Sequence, residues 1–119
     1  MTGTVIPVIP ARNWAESLSY YTDFLGFRAD WIWDKAGHFA QLSRAGLKLY
    51  LSDDEHIGGP QRIYLYVPDV DAWYLPLSAA DPTLAPPVNT AWRNRECTLT
   101  DPAGNTLVLA TPVSRLRRT

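Results

Sequence analysis

Hydrophobic and polar residues along this 119-residue chain repeat one order of elements twice. In the first copy, alternation over residues 5–11 predicts a strand, and a helical period from Trp14 to Leu25 predicts a helix. Three alternating segments joined by glycine turns then predict three short strands, at 27–34, 38–43 and 47–52. Together these elements form a βαβββ module.

The second copy begins after a polar linker that contains Gly58-Gly59-Pro60. Alternation predicts a strand over 61–67, and a helix follows in which Asp69 occupies the N-cap position. Pro76 lies inside this helix. Because proline has no amide proton and clashes with the preceding turn, we expect the helix to kink or end there.

The remainder of the second copy is strand-like. Residues 80–91 are rich in Pro, Ala and Thr and show no clear period, whereas two strands are predicted near 94–100 and 105–111. The modules therefore cover about 1–57 and about 61–112. A basic tail at 113–119 is expected to be a solvated end.

Two such modules in a chain of one domain's length predict a single α+β domain over 1–119 with a cupped, mixed sheet. Pro7 and Pro10 fall in the first strand, and proline cannot donate to a ladder. That strand is therefore expected at a sheet edge or exchanged with another subunit. Asn13 with Glu16 predicts a capping box, and Gly26 a C-terminal stop.

Period-two alternation separates two faces of the predicted sheet. Aliphatic residues occupy one face and form the expected core, at Leu47, Leu49, Leu51, Ile63, Leu65, Val67, Leu107 and Leu109. Tyrosines, an arginine and small side chains occupy the other, at Lys48, Tyr50, Ser52, Arg62, Tyr64, Tyr66, Thr106, Val108 and Ala110. A face of this kind suits a cleft for a flat, polar organic molecule. Packing against a second subunit is an alternative, and the two can coexist.

Trp31 and Trp33 share a face of the second strand, with Asp30 and Asp34 beside them in sequence. Aromatic planes next to carboxylates suit a cationic or planar heteroaromatic ligand, through stacking and cation–π attraction. The alternative is hairpin packing of two large side chains with solvated turn aspartates, which is the better interpretation for Asp34.

Composition narrows the function classes. The net charge of −1 gives no indication of wholesale binding to nucleic acid or to an anionic membrane. No segment approaches the ~20 apolar residues that span a bilayer, and no signal peptide is evident, so we expect a cytoplasmic protein. A lone cysteine, Cys97, excludes an internal disulfide and is interpreted as a small buried apolar residue.

Catalytic and metal-binding motifs are scarce. The chain has two histidines, and neither belongs to a recognisable metal or triad pattern. His38 is interpreted as a surface or packing residue. The sequence therefore predicts no catalytic residue, no metal site and no cofactor.

The doubled βαβββ plan resembles the vicinal oxygen chelate superfamily, which includes glyoxalases, extradiol dioxygenases, fosfomycin-resistance transferases and bleomycin resistance proteins. Within it the chain is most similar to the bleomycin resistance proteins. The resemblance rests on Val5-Ile6-Pro7-Val8, Ala11-Arg12, Tyr21-Thr22-Asp23, Leu25-Gly26-Phe27, Asp30-Trp31, Leu49-Tyr50-Leu51-Ser52 and Asp101-Pro102-Ala103-Gly104-Asn105. It extends over nearly the whole chain.

The resemblance implies a homodimer with an exchanged first strand and a drug-binding cleft at the subunit interface. The implied ring positions are Trp31, Phe39, Tyr64, Tyr66 and Trp92. Asp30 would attract a cationic end, Ser52 would form a hydrogen bond, and Gly104 would allow close backbone approach. Tyr50 and Arg62 complete the expected ligand-binding set. The stretch after Trp92 is one residue longer than the family's pattern, which predicts a displaced ring.

The metal-using enzymes of the superfamily place ligands on four strands, and the corresponding positions here are Ile6, Tyr50, Arg62 and Val108. None is a usable ligand for a divalent metal, because isoleucine and valine lack donor atoms and arginine is a cation. The resemblance therefore implies non-catalytic sequestration of a planar aromatic molecule, with bleomycin-type antibiotics as leading candidates.

Two alternatives stay open. One is a lyase or transferase of the glyoxalase or dioxygenase type, in which His38 and Glu96 would be the participants. The other is a protein-binding domain that uses the aromatic face. The weak net charge also points away from a strongly cationic ligand, since the resistance proteins tend to be strongly acidic.

Overall fold

The computed structural model describes residues 2–116, with side chains as far as Ser114. The chain divides into two compact units. Unit 1 comprises Met1–Gln61 with Asp101–Asn105, and unit 2 comprises Arg62–Thr100 with Thr106–Thr119. Each unit contains one four-stranded mixed sheet. The predicted α+β architecture of two βαβββ modules is confirmed.

Unit 1 is built on a sheet with the strand order β1-β4-β3-β2. Its strands are β1 (Val8–Pro10), β2 (Arg28–Trp33), β3 (Phe39–Arg44) and β4 (Leu47–Ser52). β1 runs parallel to β4, and the other neighbours are antiparallel. The proline-bearing strand thus lies at the sheet edge and pairs with β4 of its own chain, while exchange between subunits stays a prediction.

The first helix consists of α1 (Trp14–Ser19) and a π-helical turn over Tyr20–Phe24. Gly26 ends it with φ +77°, as predicted. The capping-box prediction was wrong, because the Asn13 side chain makes no capping bond. It accepts from Ser17 Oγ at 3.0 Å and donates to the carbonyl of Pro102 at 3.0 Å, so it links the helix to the 101–105 turn.

A buried hydrogen-bond network holds that turn in unit 1. Tyr21 Oη donates to Asp101 Oδ2 at 2.6 Å, and Asn105 Nδ2 donates to the same oxygen and to the carbonyl of Pro10. Burial, followed by the hydrogen bond to Asp101, raises the pKa of Tyr21 far above its ordinary value. Gly104 has φ +88°, which favours glycine and is consistent with the predicted tight turn.

Unit 2 is built on a sheet with the strand order β5-β8-β7-β6. Its strands are β5 (Arg62–Tyr66), β6 (Val88–Asn89), β7 (Asn94–Thr100) and β8 (Thr106–Pro112). The two-residue β6 lies in the segment for which the sequence predicted no element. β5 runs parallel to β8, and the other neighbours are antiparallel.

Helix α2 (Val70–Ala80) covers β7 and β8. Asp69 caps it as predicted, because its Oδ1 accepts from the amides of Asp71 and Ala72. The helix does not end at Pro76 but continues to Ala80. Its buried side chains are Val70, Trp73 and Leu77, so burial of this face offsets the hydrogen bond that proline cannot make.

The short helix α3 (Val113–Leu116) follows β8. The side chains of the predicted basic tail from Arg115 onwards lie outside the described residues. No helix in the described part is both long and apolar enough to cross a membrane. Cys97 is buried, and that burial raises the pKa of its thiol, which accords with its interpretation as a small apolar residue.

The predicted division of faces holds for most strands. The aliphatic set is largely buried, whereas Tyr64 and Tyr66 are exposed. Three small or medium side chains on the predicted open face are nevertheless buried, namely Ser52, Val108 and Ala110.

Candidate functional site

Three aromatic rings form a cluster on the open face of the unit 1 sheet. We call Trp31, Phe39 and Tyr50, which come from β2, β3 and β4, the first aromatic cluster. Their ring centroids are 5.0–5.8 Å apart and their planes are tilted. Spacing of this kind is typical of favourable aromatic pairs. Trp31 keeps 42% of its surface exposed, so part of its ring is available to a ligand.

A β-bulge places Asp30 beside this cluster. The register shifts between Ala29, which lies opposite Leu42, and Trp31, which lies opposite Gln41. Asp30 is the extra residue, and its carboxylate reaches side chains that share the Trp31 face. Simple alternation would have put Asp30 and Trp31 on opposite faces, so this juxtaposition depends on the bulge.

Hydrogen bonds hold the Asp30 carboxylate in its charged form. Gln41 Nε2 donates at 3.0 Å, Ser43 Oγ at 2.9 Å and Arg28 Nε at 2.9 Å. The bonds from Gln41 and Ser43 lower the pKa of Asp30 most, and the Arg28 charge adds to them. The same ion pair partly neutralises the carboxylate, which weakens its attraction for a cationic ligand.

An acidic pocket of about 510 Å³ lies at the ends of β3 and β4 in unit 1. Its lining includes Trp33, His38, Phe39, Ser52, Asp53, Asp54 and Glu55. Ser52 Oγ is largely buried and accepts from the amide of Asp54 at 3.2 Å. Ser52, which was predicted to form a hydrogen bond to a ligand, therefore lies in the pocket and already accepts one from the Asp54 amide.

The His38 side chain makes two contacts within unit 1, a ring stack and a polar contact. Its ring stacks on Trp14 with centroids 4.9 Å apart, and Nδ1 lies 2.5 Å from Asp53 Oδ2. Burial alone would raise the pKa of Asp53, but hydrogen bonds from the His38 amide and ring lower it. These contacts support the interpretation of His38 as a packing residue.

A second aromatic site occupies the open face of the unit 2 sheet. Tyr64, Tyr66, Trp92 and Asn94 line a shallow cavity of about 490 Å³, which we call the unit 2 pocket. The two tyrosine rings are nearly parallel, with centroids 6.5 Å apart. The Arg62 guanidinium lies over the Tyr64 ring, 5.6 Å from its centroid. Four predicted site residues thus come together here.

Trp92 precedes β7 in a tight turn where Arg93 has φ +70°. The indole Nε1 donates to Glu96 Oε2 at 2.8 Å, which fixes the ring in the unit 2 pocket although 63% of the residue is exposed. Trp92 thus lines the same pocket as the two tyrosines, while its displacement relative to the family's pattern stays a prediction.

Glu96 is the residue that the predicted ligand-binding set omits. It is only 6% exposed, and its Oε2 also accepts from Asn94 Nδ2 at 3.1 Å. Glu96 and Tyr66 both pair with Ala110 of β8, which places them on one face. Period-two alternation along β7 indicates only that Asn94 and Glu96 share a face. The pairing of both β5 and β7 with β8 is what relates Glu96 to Tyr66.

Gly104 is not among the residues that line the two pockets described above. It lies in the 101–105 turn, where a Cβ would be 3.5 Å from the Pro60 ring. Its positive φ already accounts for glycine at this position. A role for Gly104 in approaching a ligand stays a prediction.

The four positions that hold metal in related enzymes do not fit a divalent ion. Val108 is fully buried without a donor atom, and Arg62 is a cation packed on Tyr64. Among the residues that the structure describes, no group of three or more His, Cys, Asp or Glu side chains could hold a metal ion.

Comparison with known protein families identifies the family to which this chain is similar. Residues 5–109 match the family model described as the Glyoxalase/Bleomycin resistance protein/Dioxygenase superfamily. A search of the curated proteins gave no match.

Solved structures share the fold at low sequence identity. TnmS3, an antibiotic binding protein from Streptomyces sp. CB03234, is 24% identical with a TM-score of 0.76, over 94% of this chain and 98% of that chain. A bleomycin-binding protein from Streptomyces verticillus, complexed with copper(II)-bleomycin, is 24% identical with a TM-score of 0.72, over 92% and 97%. Lactoylglutathione lyase from Agrobacterium tumefaciens is 16% identical with a TM-score of 0.72, over 99% and 98%.

The relatives thus include both binding proteins and an enzyme, and their likeness concerns the fold. The family match itself covers most of the chain, from the first strand to β8. With its two βαβββ units, the chain belongs to the glyoxalase/bleomycin resistance protein/dioxygenase superfamily.

Proposed function

We propose that this protein binds and sequesters a planar aromatic small molecule without chemical turnover, and that bleomycin-type antibiotics are the leading candidates. The observation that carries the proposal is the set of aromatic rings exposed on the open faces of the two sheets. Trp31, Tyr64, Tyr66 and Trp92 are each at least 40% exposed, although large aromatic side chains gain most from burial. A planar ligand would cover them.

Stacking supplies much of the affinity that sequestration needs. An aromatic pair contributes about 0.5–1.5 kcal/mol beyond the burial of its area. A micromolar complex corresponds to about −8 kcal/mol, so burial of apolar surface on the rings and the ligand has to supply most of the free energy. Sequestration needs affinity alone, so it requires no catalytic group.

The comparisons support this function over the enzymatic alternative in one respect. Two relatives are named for binding an antibiotic or bleomycin, while one is named as a lyase. The chemistry of Ile6, Tyr50, Arg62 and Val108 does not suit a divalent metal. We further propose a cytoplasmic homodimer, in which exchange of the proline-bearing edge strand β1 would complete a cleft.

Calorimetric titration of the purified, metal-stripped protein with metal-free bleomycin tests the proposal. We expect saturable binding at one drug per subunit, together with a change in tryptophan emission. Because the chain has five tryptophans, Trp31→Phe and Trp92→Phe variants would assign the emission change to a unit. Absence of heat and of an emission change at high drug concentration would overturn bleomycin as the ligand.

A further inference from the structure

A largely buried carboxylate, that of Glu96, is hydrogen-bonded to two of the residues that line the unit 2 pocket. Glu96 is only 6% exposed. None of the described Lys, Arg or His side chains forms an ion pair with it. Its hydrogen-bond donors, the Trp92 indole and the Asn94 amide, are neutral. Among the described residues its polar partners are therefore dipoles, whereas a buried acidic residue is usually paired with a cation.

The hydrogen bonds orient the polar groups of this pocket. Both donors reach Oε2 of Glu96, and Oε1 makes no hydrogen bond to any described residue. Asn94 Nδ2 also donates to Tyr66 Oη at 3.0 Å. Because Tyr66 accepts there, its own hydroxyl proton remains available to donate to a ligand. These hydrogen bonds hold one carboxylate acceptor and one hydroxyl donor in place at the residues of this pocket.

Ring faces surround these two polar groups. Tyr64, Tyr66 and Trp92 line the cavity, and the quadrupole of each ring attracts a cation placed over its face. A largely buried carboxylate next to aromatic rings is chemically suited to an organic cation. A small hard metal ion is less suited, because it prefers several oxygen ligands.

Arg62 is a cation that lies against the pocket-lining Tyr64. Its guanidinium lies over the Tyr64 ring. On strand β5, Arg62 precedes Tyr64 by two residues and Tyr66 by four. Arg62 is exposed, so solvent screens its repulsion, whereas the Glu96 charge acts from a buried position.

We propose that the unit 2 pocket is a subsite for an organic cation attached to a planar aromatic body, with an amidinium or protonated amine donating to Oε1 of Glu96. The planar body stacks on Tyr66 and Trp92, and the Tyr66 hydroxyl donates to an adjacent acceptor. This inference rests on the proposed function, since it names the charge and position of the group that the cleft selects.

A matched pair of probes tests the inference on the full-length protein. 2-Naphthamidine carries a planar amidinium, and 2-naphthamide is its neutral counterpart of nearly the same shape. Each is titrated while the indole N–H signal of Trp92 is followed by ¹H–¹⁵N NMR, with Trp92→Phe used to assign that signal. We expect the amidine to bind about tenfold or more tightly than the amide, as a charge-assisted hydrogen bond would require.

Glu96→Gln is the decisive variant, because glutamine keeps the size and an oxygen acceptor for Trp92 while removing the charge. The amidine preference should disappear in this variant. Glu16→Gln, which removes an exposed carboxylate of α1, is the matched control and should keep the preference. Unchanged spectra elsewhere in Glu96→Gln would show that the fold is intact.

The outcomes separate the inference from the proposed function. If bleomycin binds but the two naphthalene probes bind alike, or the preference survives in Glu96→Gln, the inference is overturned and sequestration stands. If the preference depends on Glu96 but bleomycin does not bind, the subsite is supported and the drug assignment is overturned.

Discussion

The buried Tyr21–Asp101 hydrogen bond provides a sharp test of how unit 1 is held together. Tyr21→Phe removes only the hydroxyl, which is fully buried and lies 2.6 Å from Asp101 Oδ2. Hydrogen bonds to charged groups contribute about 1.5–3 kcal/mol. Asp101 Oδ2 keeps its bond from Asn105 Nδ2, so we expect a loss of about 1.5–2 kcal/mol in the free energy of unfolding at pH 7, at the low end of that range.

This difference should shrink at alkaline pH. Burial raises the pKa of Tyr21 in the folded protein, so above the ordinary value of 10.0 the unfolded chain releases this proton while the folded chain retains it. The unfolded state then binds fewer protons, and stability falls as pH rises, by about 1.4 kcal/mol per pH unit. Phenylalanine cannot titrate, so the variant lacks this contribution.

Urea denaturation followed by circular dichroism at pH 7, 9, 10 and 11 measures both effects. Tyr64→Phe is the matched control, because it removes a hydroxyl from an exposed tyrosine and should change stability by less than about 0.5 kcal/mol. A Tyr21→Phe protein as stable as the wild type at pH 7, or a gap between the two that stays constant from pH 9 to 11, would refute the reasoning.

Three further predictions concern the site, a cap and a turn. Trp31→Ala should weaken bleomycin binding about tenfold while leaving the protein folded, since it removes a stacking ring that is 42% exposed; unchanged affinity in calorimetry would remove Trp31 from the site. Asp69→Ala should cost about 1 kcal/mol in urea denaturation, because α2 loses its side-chain cap; equal stability would show that the cap is dispensable. Gly104→Ala should cost about 1–2 kcal/mol because φ is +88°, whereas Gly59→Ala, where nothing lies within 4 Å of an added Cβ, should be close to neutral.

Much of the candidate site was predictable because it follows strand periodicity. Tyr64 and Tyr66 alternate with Ile63 and Leu65, so a period of two is sufficient to put both tyrosines on the open face. The same kind of pattern, together with family resemblance, assigns Trp31 and Tyr50 to the site. The structure groups Trp31 with Tyr50, and Tyr64 with Tyr66.

Other features of the site needed long-range information. Asp30 reaches the Trp31 face only through the bulge between β2 and β3, and a bulge depends on how two strands pair. Glu96 is four residues from Trp92 in sequence, but its position beside Tyr66 results from the pairing of β5 and β7 with β8. No local pattern specifies those registers.

The sequence by itself determined the order of the elements, most strand boundaries and the glycine-dependent turns, because alternation, helical period and positive φ are local properties of the chain. The tertiary structure alone decided which polar side chains meet. It directs the Asn13 side chain to the Pro102 carbonyl instead of the helix cap, joins Tyr21 to Asp101, and buries Glu96 next to Trp92 with no ion-pair partner among the described residues. Side-chain hydrogen bonds form between groups that folding brings together, so their partners are set by packing and register and not by neighbours along the chain.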